Sequence, residues 1–374
     1  MEVPTFQDAD FFGVAMLTIL ATILLAGSFA LSVFFTAVVK KLVTSARFVA
    51  HPAADRYHQR VVPLGGGIAI FTTLLIFILS ATAAIRLLPG HLDSFAQAAN
   101  IDPSDFLGKI DQLITILLGA FILFVLGLWD DKSHLGPFFK LAVQFVVAIL
   151  VAAFGQVRVE LFIENKIITS ALSAVWIVLI INAFNFLDNM DGAAAGIAAI
   201  VSGILFTAAA ISGQVFVGGL AIIFIGTLLG FLVFNFPPAK IFMGDAGSLV
   251  VGFFVAMLTL RTTYYYGQAQ SGQWYAVFLP LVVMAVPLYD FISVTILRLS
   301  QGKSPFIGDT QHFSHRLKKH GLTDTQTVLT LYLATLCTGL SATFLYQVNL
   351  AGAILIFAQT IMVLAIIAVF EATT

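Results

Sequence analysis

Along this chain, apolar runs of about twenty residues recur from end to end, separated by short polar stretches, with none of the period-two alternation of half-buried strands. As a helix, a run of that length crosses ~30 Å of hydrocarbon. Eleven segments qualify: 11–38, 64–88, 111–129, 137–155, 167–186, 193–212, 216–234, 246–265, 273–298, 325–346 and 350–370. The pattern predicts an all-α, polytopic membrane protein with eleven transmembrane helices. A transmembrane barrel would instead show short alternating segments. No internal repeat or low-complexity tract breaks the series, so residues 1–374 read as one membrane-embedded domain without a soluble appendage.

Composition agrees. Of 374 residues, 60% are hydrophobic and 10% charged, whereas a soluble domain carries about a quarter charged residues. The net charge of −1 says little by itself; the placement of the charges says more. If the first span enters the cytoplasm, 13 Lys and Arg residues fall on inner segments, Lys40, Arg56, Lys132, Lys140, Lys240 and Arg316 among them. Only five (Arg86, Lys109, Arg158, Lys166 and Arg261) fall outside. That asymmetry predicts an outer N-terminus and a cytoplasmic C-terminus. The start is acidic at Glu2, Asp8 and Asp10, which does not fit the basic opening of a cleavable signal. The single cysteine, Cys337, lies in an apolar run and reads as a small buried hydrophobe. The loop 89–110 reads as a solvated outer connector.

Five polar stretches interrupt this pattern: 51–67, 127–137, 182–192, 235–248 and 308–321. On the predicted orientation all five lie at cytoplasmic span ends or in cytoplasmic loops. In "NAFNFLDNMDG" (182–192), Asn182, Asn185 and Asp188 follow at i, i+3 and i+6, and Asp191 continues the step. On a helix these share one face, and a face of amides and carboxylates must look into a hydrated cleft rather than lipid. Asp130 and Asp131 of "GLWDDK" and Asp245 of "FMGDAGS" would complete five carboxylates from three loops. Such crowding requires compensating cations. Hard oxygen ligands suit Mg²⁺ or Mn²⁺, and Arg56, His58, Lys132, Lys240, His312, His315 and Arg316 lie in the neighbouring stretches. A divalent ion among acids, ringed by basic groups, suits phosphoryl transfer. "GDAGS" adds free backbone N–H groups at a helix start. The "GGG" at 65–67 reads as close helix packing. Asp290, two turns inside the ninth span, is a functional candidate, with Arg298 or helix amides as alternative structural partners.

The ordered set "DD", "NxxNxxDxxDG", "FMGDAGS" and a histidine-bearing last loop resembles the polyprenyl-phosphate N-acetylhexosamine-1-phosphate transferase superfamily, from about residue 50 to 320. Within it, the span count and "DTQHFSHRL" look closest to the bacterial undecaprenyl-phosphate GlcNAc-1-phosphate transferases. The resemblance implies transfer of a phospho-sugar from a UDP-N-acetylhexosamine to undecaprenyl phosphate with Mg²⁺, releasing UMP, at the cytoplasmic face of a bacterial membrane. No nucleic-acid partner is implied, and a homodimer stays open. Asp130 and Asp131 would lie beside the lipid phosphate, one of them a candidate base. Asp245 would be the principal Mg²⁺ ligand, with Asp188 at or near the metal. Asp191 would bind the uracil edge and Phe242 stack on the ring. Asn185 and Asn235 would position the donor, Arg56 and His58 would form the basic part of the first cytoplasmic loop, and His312, His315 and Arg316 would contact the diphosphate and sugar. The alternatives are the phospho-MurNAc-pentapeptide transferase branch and, in another class, an ion-coupled transporter. Two positions depart from the family pattern: Ser314 stands where His-Ile-His-His has a histidine, and Asn189 where "DGxDG" has its first glycine.

Overall fold

The computed structural model describes residues 6–50, 61–87, 106–155, 157–159, 163–262, 274–304 and 312–372. Each predicted span contains a helix. In chain order the long ones are α1 (Phe6–Ser45), α2 (Gly66–Leu87), α3 (Ile110–Ser133), α4 (Pro137–Phe154), α5 (Lys166–Leu187), α6 (Ala193–Ile211), α7 (Val215–Asn235) and α8 (Asp245–Arg261). A 3₁₀ turn, Trp274–Phe278, leads into α9 (Leu279–Val283) and α10 (Ala285–Ser300); α11 (Phe313–Lys319), α12 (Asp324–Ala342) and α13 (Leu350–Ala372) follow.

Among the described residues eight helices are long and apolar enough to cross a bilayer, or nine if the Trp274–Ser300 pair is one span. Multi-pass membrane embedding follows from this. The eleven spans of the sequence reading are not all reached by that measure, for two physical reasons. With only 17 residues, α8 is short, and the leucines of α12 are diluted by Gln326 and five threonines. The ninth predicted span is not straight: it bends by 64° between Val283 and Ala285. Pro287 lies just beyond the break, and its missing N–H leaves the carbonyl four residues earlier without a helical donor. The all-α reading also needs a small addition, an antiparallel ribbon pairing Val49 with Pro63 and Ala50 with Val62.

The bundle is organised around α8, which packs against α2, α3, α5 and α6. Every residue from Ala246 to Thr259 is buried. Neighbours approach so closely that a Cβ on Gly67 would lie 2.3 Å from the Gly247 nitrogen. The "GGG" stretch is therefore a packing device, as small residues are between membrane helices. Outer helices turn apolar side chains away from this core: Phe138 of α4 is 74% exposed and Leu355 of α13 is 70%. Such surface is stable only against lipid or a partner. Some buried hydroxyls bond back along their own helices, as Thr73 does to the Ala69 carbonyl, while Ser32 of α1 crosses to the Thr227 carbonyl of α7.

Candidate active site

The start of α8 is the structural centre of the site. Its N-cap, Gly244, sits at φ +73° and offers no side-chain oxygen to the first free N–H groups. Asp131, at the end of α3, supplies the missing cap from another helix. Its Oδ1 accepts from the Asp245 N–H at 2.8 Å and its Oδ2 from the Ala246 N–H at 3.1 Å. The segment before α8 is fixed as firmly: the Phe242 N–H donates to the Pro63 carbonyl (2.9 Å), and Gly66 and Gly67 donate to the Phe242 and Met243 carbonyls (2.8 and 2.9 Å). Phe242 is half-buried, while its backbone holds the β-ribbon onto the acidic loop.

Around this anchor four elements meet. Asp130 accepts from the Leu135 N–H at 2.5 Å and from Lys140 Nζ at 2.6 Å. Lys140, in the first turn of α4, also donates to Asp245 Oδ2 at 3.1 Å. Asn185 of α5 donates to Asp245 Oδ1 (3.1 Å) and to Ser248 Oγ (2.9 Å). Asp188 is the C-cap of α5, its N–H donating to the Phe184 carbonyl at 3.1 Å. Its carboxyl is pushed well above the usual carboxylate range by burial first, then by the charges of Asp245, Asp131 and Asp191. Asp130, Asp131, Asp245 and Asn185 are thus joined through Lys140 and the start of α8, and Asp188 feels the charge of this cluster.

In the sequence Lys140 is only one of the inner charges. The signal that marks it is its place: a lysine in the first turn of an apolar helix is disfavoured both by the helix dipole and by hydrocarbon, so it requires anionic partners.

Other candidates are placed differently. The helical face does not extend to Asp191. The helix stops at Leu187, Asp188 is its cap, and Asp191 lies in the following turn, accepting from the Ala239 N–H at 2.8 Å. Asn182 lies a turn deeper than Asn185 and donates to Gln144 Oε1 (2.7 Å) and the Val178 carbonyl. Asn235 is 3% exposed and spent on the backbone: its Oδ1 accepts from the Gly192 N–H (3.0 Å) and its Nδ2 donates to the Ile241 carbonyl (2.9 Å). It clamps the α5–α6 turn to the loop before α8. Asn235→Ala would orphan two backbone groups at a cost of about 1–3 kcal/mol each. A thermal midpoint several degrees lower in detergent is the expected outcome; an unchanged midpoint would contradict the clamp.

The histidines form a second group. His312 Nδ1 lies 3.0 Å from Asp290 Oδ2, and the Phe313 N–H donates to Asp290 Oδ1 at 2.6 Å. Arg298 Nη2 lies 3.4 Å from His312 Nε2. An arginine can only donate, so in this arrangement Nε2 accepts and Nδ1 carries the proton toward Asp290. The carboxylate of the ninth span therefore meets His312 and a backbone amide, and Arg298 only through the histidine. His315 is buried with its ring centre 6.3 Å from that of His312. Arg316 does not join them: it donates to Ser293 Oγ at 2.8 Å and pairs with Glu371 of α13 at 3.1 Å. His312 is the extended N-cap of α11, not part of its helical face, so its four-residue separation from Arg316 does not align those two side chains. Phe186 and Asn189 connect this group to the end of α5: the Phe186 ring meets His312 edge-on at 5.4 Å. Arg56 and His58 lie outside the described residues.

Among the described residues no three carboxylates, imidazoles or thiols converge as a ready metal cage. The donor chemistry nevertheless fits a hard divalent ion. Four carboxylates gather around a single lysine that pairs with only two of them, Asp130 and Asp245, and burial and neighbouring charges raise the Asp188 carboxyl. Mg²⁺ is commonly bound by one or two carboxylates plus waters and substrate phosphates rather than by a protein cage. Asp188→Asn isolates the electrostatic cost. A raised folded pKa means that the penalty is absent below about pH 4 and complete above the folded value. In EDTA near neutral pH the variant should unfold a few degrees higher than the parent while losing turnover. A lower midpoint would contradict that cost.

The ends of apolar helices thus bring acids, an amide and a lysine together in a multi-pass membrane protein. Glycosyl transferase family 4 matches residues 113–263. A probable undecaprenyl-phosphate N-acetylglucosaminyl 1-phosphate transferase of Bacillus subtilis (strain 168) is 30% identical over 341 residues, covering 89% of this chain and 87% of the relative. A decaprenyl-phosphate N-acetylglucosaminephosphotransferase of Mycobacterium leprae is 28% identical, over 88% of this chain and 85% of its own length. An undecaprenyl-phosphate alpha-N-acetylglucosaminyl 1-phosphate transferase of Thermotoga maritima is 29% identical, over 76% and 78%. The chain belongs to glycosyl transferase family 4.

Proposed function

We infer that this protein transfers N-acetylglucosamine-1-phosphate from UDP-N-acetylglucosamine to undecaprenyl phosphate, releasing UMP, as the first membrane step of a bacterial envelope glycan. The relatives' names support the sugar and the acceptor class. The observation that carries the chemistry is the cluster Asp130–Lys140–Asp245–Asn185, with Asp131 holding the start of α8.

An oxygen of the lipid phosphate attacks the phosphorus nearest the sugar, and the bond from that phosphorus to the bridging oxygen breaks, leaving UMP. Both substrates are anions, one held in lipid and one arriving from water, so the site belongs at a membrane border. On the charge asymmetry of the loops that border is the cytoplasmic one. Asp245, with Asp188 beside it, would hold Mg²⁺, which when bound supplies neutralisation of the developing oxyanion charge. Lys140 adds a fixed positive charge between Asp130 and Asp245. Asp130 and Asp131 would lie by the acceptor phosphate, Asp191 and Phe242 by the uracil, and His312 and His315 by the diphosphate and sugar. Arg316, held by Glu371 and Ser293, supports α11 in this reading.

The test is UMP release by detergent-purified protein with undecaprenyl phosphate. UDP-GlcNAc and UDP-MurNAc-pentapeptide are supplied in parallel, each with Mg²⁺ and with EDTA. Mg²⁺-dependent UMP from UDP-GlcNAc alone is expected. Release from the pentapeptide donor alone would keep the chemistry and overturn the sugar; release unaffected by EDTA would overturn the metal.

A further inference from the structure

The two positions that depart from the family pattern, Asn189 and Ser314, are 125 residues apart in sequence, yet they touch. Ser314 Oγ donates to Asn189 Oδ1 at 2.5 Å. The other end of the amide, Asn189 Nδ2, donates to the Phe186 carbonyl at 2.6 Å, one of the unsatisfied carbonyls at the end of α5. Neither bond could form with the pattern's residue at position 189, since glycine has no side-chain amide. Ser314 is 3% exposed and sits one residue after Phe313, whose N–H is taken by Asp290. The short α11 is therefore gripped from two sides, by Asp290 of α10 and by Asn189 of the α5–α6 turn.

We propose that the Asn189–Ser314 hydrogen bond is a latch that positions the histidine-bearing α11 against the turn carrying Asp188 and Asp191, so that two walls of the nucleotide-sugar site move as one. Two observations favour a positioning role over simple filling of space. The bond joins the two elements whose functional residues must act on the same donor. And Asn189 is the immediate neighbour of Asp188, so a shift of α11 is transmitted to the acidic turn through a single residue. Both residues act here as positioning groups, since their side-chain bonds are to each other and to the Phe186 carbonyl.

This inference rests on the proposed function for its kinetic half only, and its test separates the two. N189A, S314A, the double variant and S314T would be compared with the parent by hydrogen–deuterium exchange of the segment 312–320, without substrate. The latch predicts faster exchange in either single variant, no further increase in the double, and near-parental protection in S314T. Additive effects in the double, or no gain of S314T over S314A, would overturn it. With UDP-GlcNAc and undecaprenyl phosphate, either single variant should raise the KM for the donor about tenfold and leave that for the acceptor unchanged, with S314T restoring it. Equal changes in both KM values would reduce the bond to general stability and overturn the positioning role. If the parent turns over no UDP-sugar, the proposed function falls, while the exchange cycle still decides the latch.

Discussion

Asp245→Asn should reduce UMP release by at least about a thousandfold, a barrier increase of about 4 kcal/mol, in a protein that stays folded. The two halves of that expectation have separate origins. Folding survives because the α8 start is held through the backbone N–H groups of residues 245 and 246 by Asp131, which does not need the Asp245 carboxyl. Activity is lost because both carboxylate oxygens are in use: Oδ1 accepts from Asn185 and Oδ2 from Lys140. An asparagine has one acceptor oxygen and one NH₂. Whichever way it turns, a donor faces either the Asn185 amide or the Lys140 ammonium, and the negative charge that would hold a divalent ion is gone. Turnover measured beside a thermal melt decides the point. Retained Mg²⁺-dependent release would remove Asp245 as the metal ligand, and a collapsed melt would show that the side chain also holds the fold. Asp131 makes the contrast: its replacement uncaps α8 itself, so stability and activity should fall together.

What the sequence disclosed about this site, and what it withheld, divides along a physical line. The spans were legible because hydrocarbon imposes one constraint on every residue of a crossing helix, and the acids were legible because a carboxylate beside an apolar run is anomalous wherever it occurs. The features that escaped are pairings between distant segments. Nothing local to Asp131 states that it caps a helix starting 114 residues later, and nothing local to Asn235 states that both ends of its amide are occupied by backbone. Helical arithmetic also overran its element: the step from Asp188 to Asp191 matches a helix face, but α5 ends at Leu187. Asp290 was recognisable as costly where it lies, yet its partner is His312, reached only once the chain has left the span and returned. The composition of α12 reads as a span, and its threonines leave it less apolar than the eight helices long and apolar enough to cross a bilayer.

Lys140→Met carries the second large expected effect, a loss of about a hundredfold to a thousandfold in turnover, with the opposite sign for metal affinity. Lys140 lies within hydrogen-bond reach of Asp130 and Asp245 and is only 23% exposed. Methionine keeps most of the stem's volume and removes the charge, so packing along α4 changes little. The two carboxylates then lose their shared cation, and in a partly desolvated cluster that raises their attraction for any other cation. The Mg²⁺ concentration giving half-maximal rate should fall, even as the rate ceiling falls with it, because the fixed charge facing the transferred phosphoryl group is gone. Lys140→Arg should not rescue the rate: a planar guanidinium cannot place one compact charge between two carboxylates of different elements. Titration of UMP release with Mg²⁺ reads both quantities at once. A parental ceiling in the methionine variant would leave Lys140 a structural pin. A lowered ceiling with weaker metal dependence would mean that the lysine helps to organise the ion's ligands instead of competing for them.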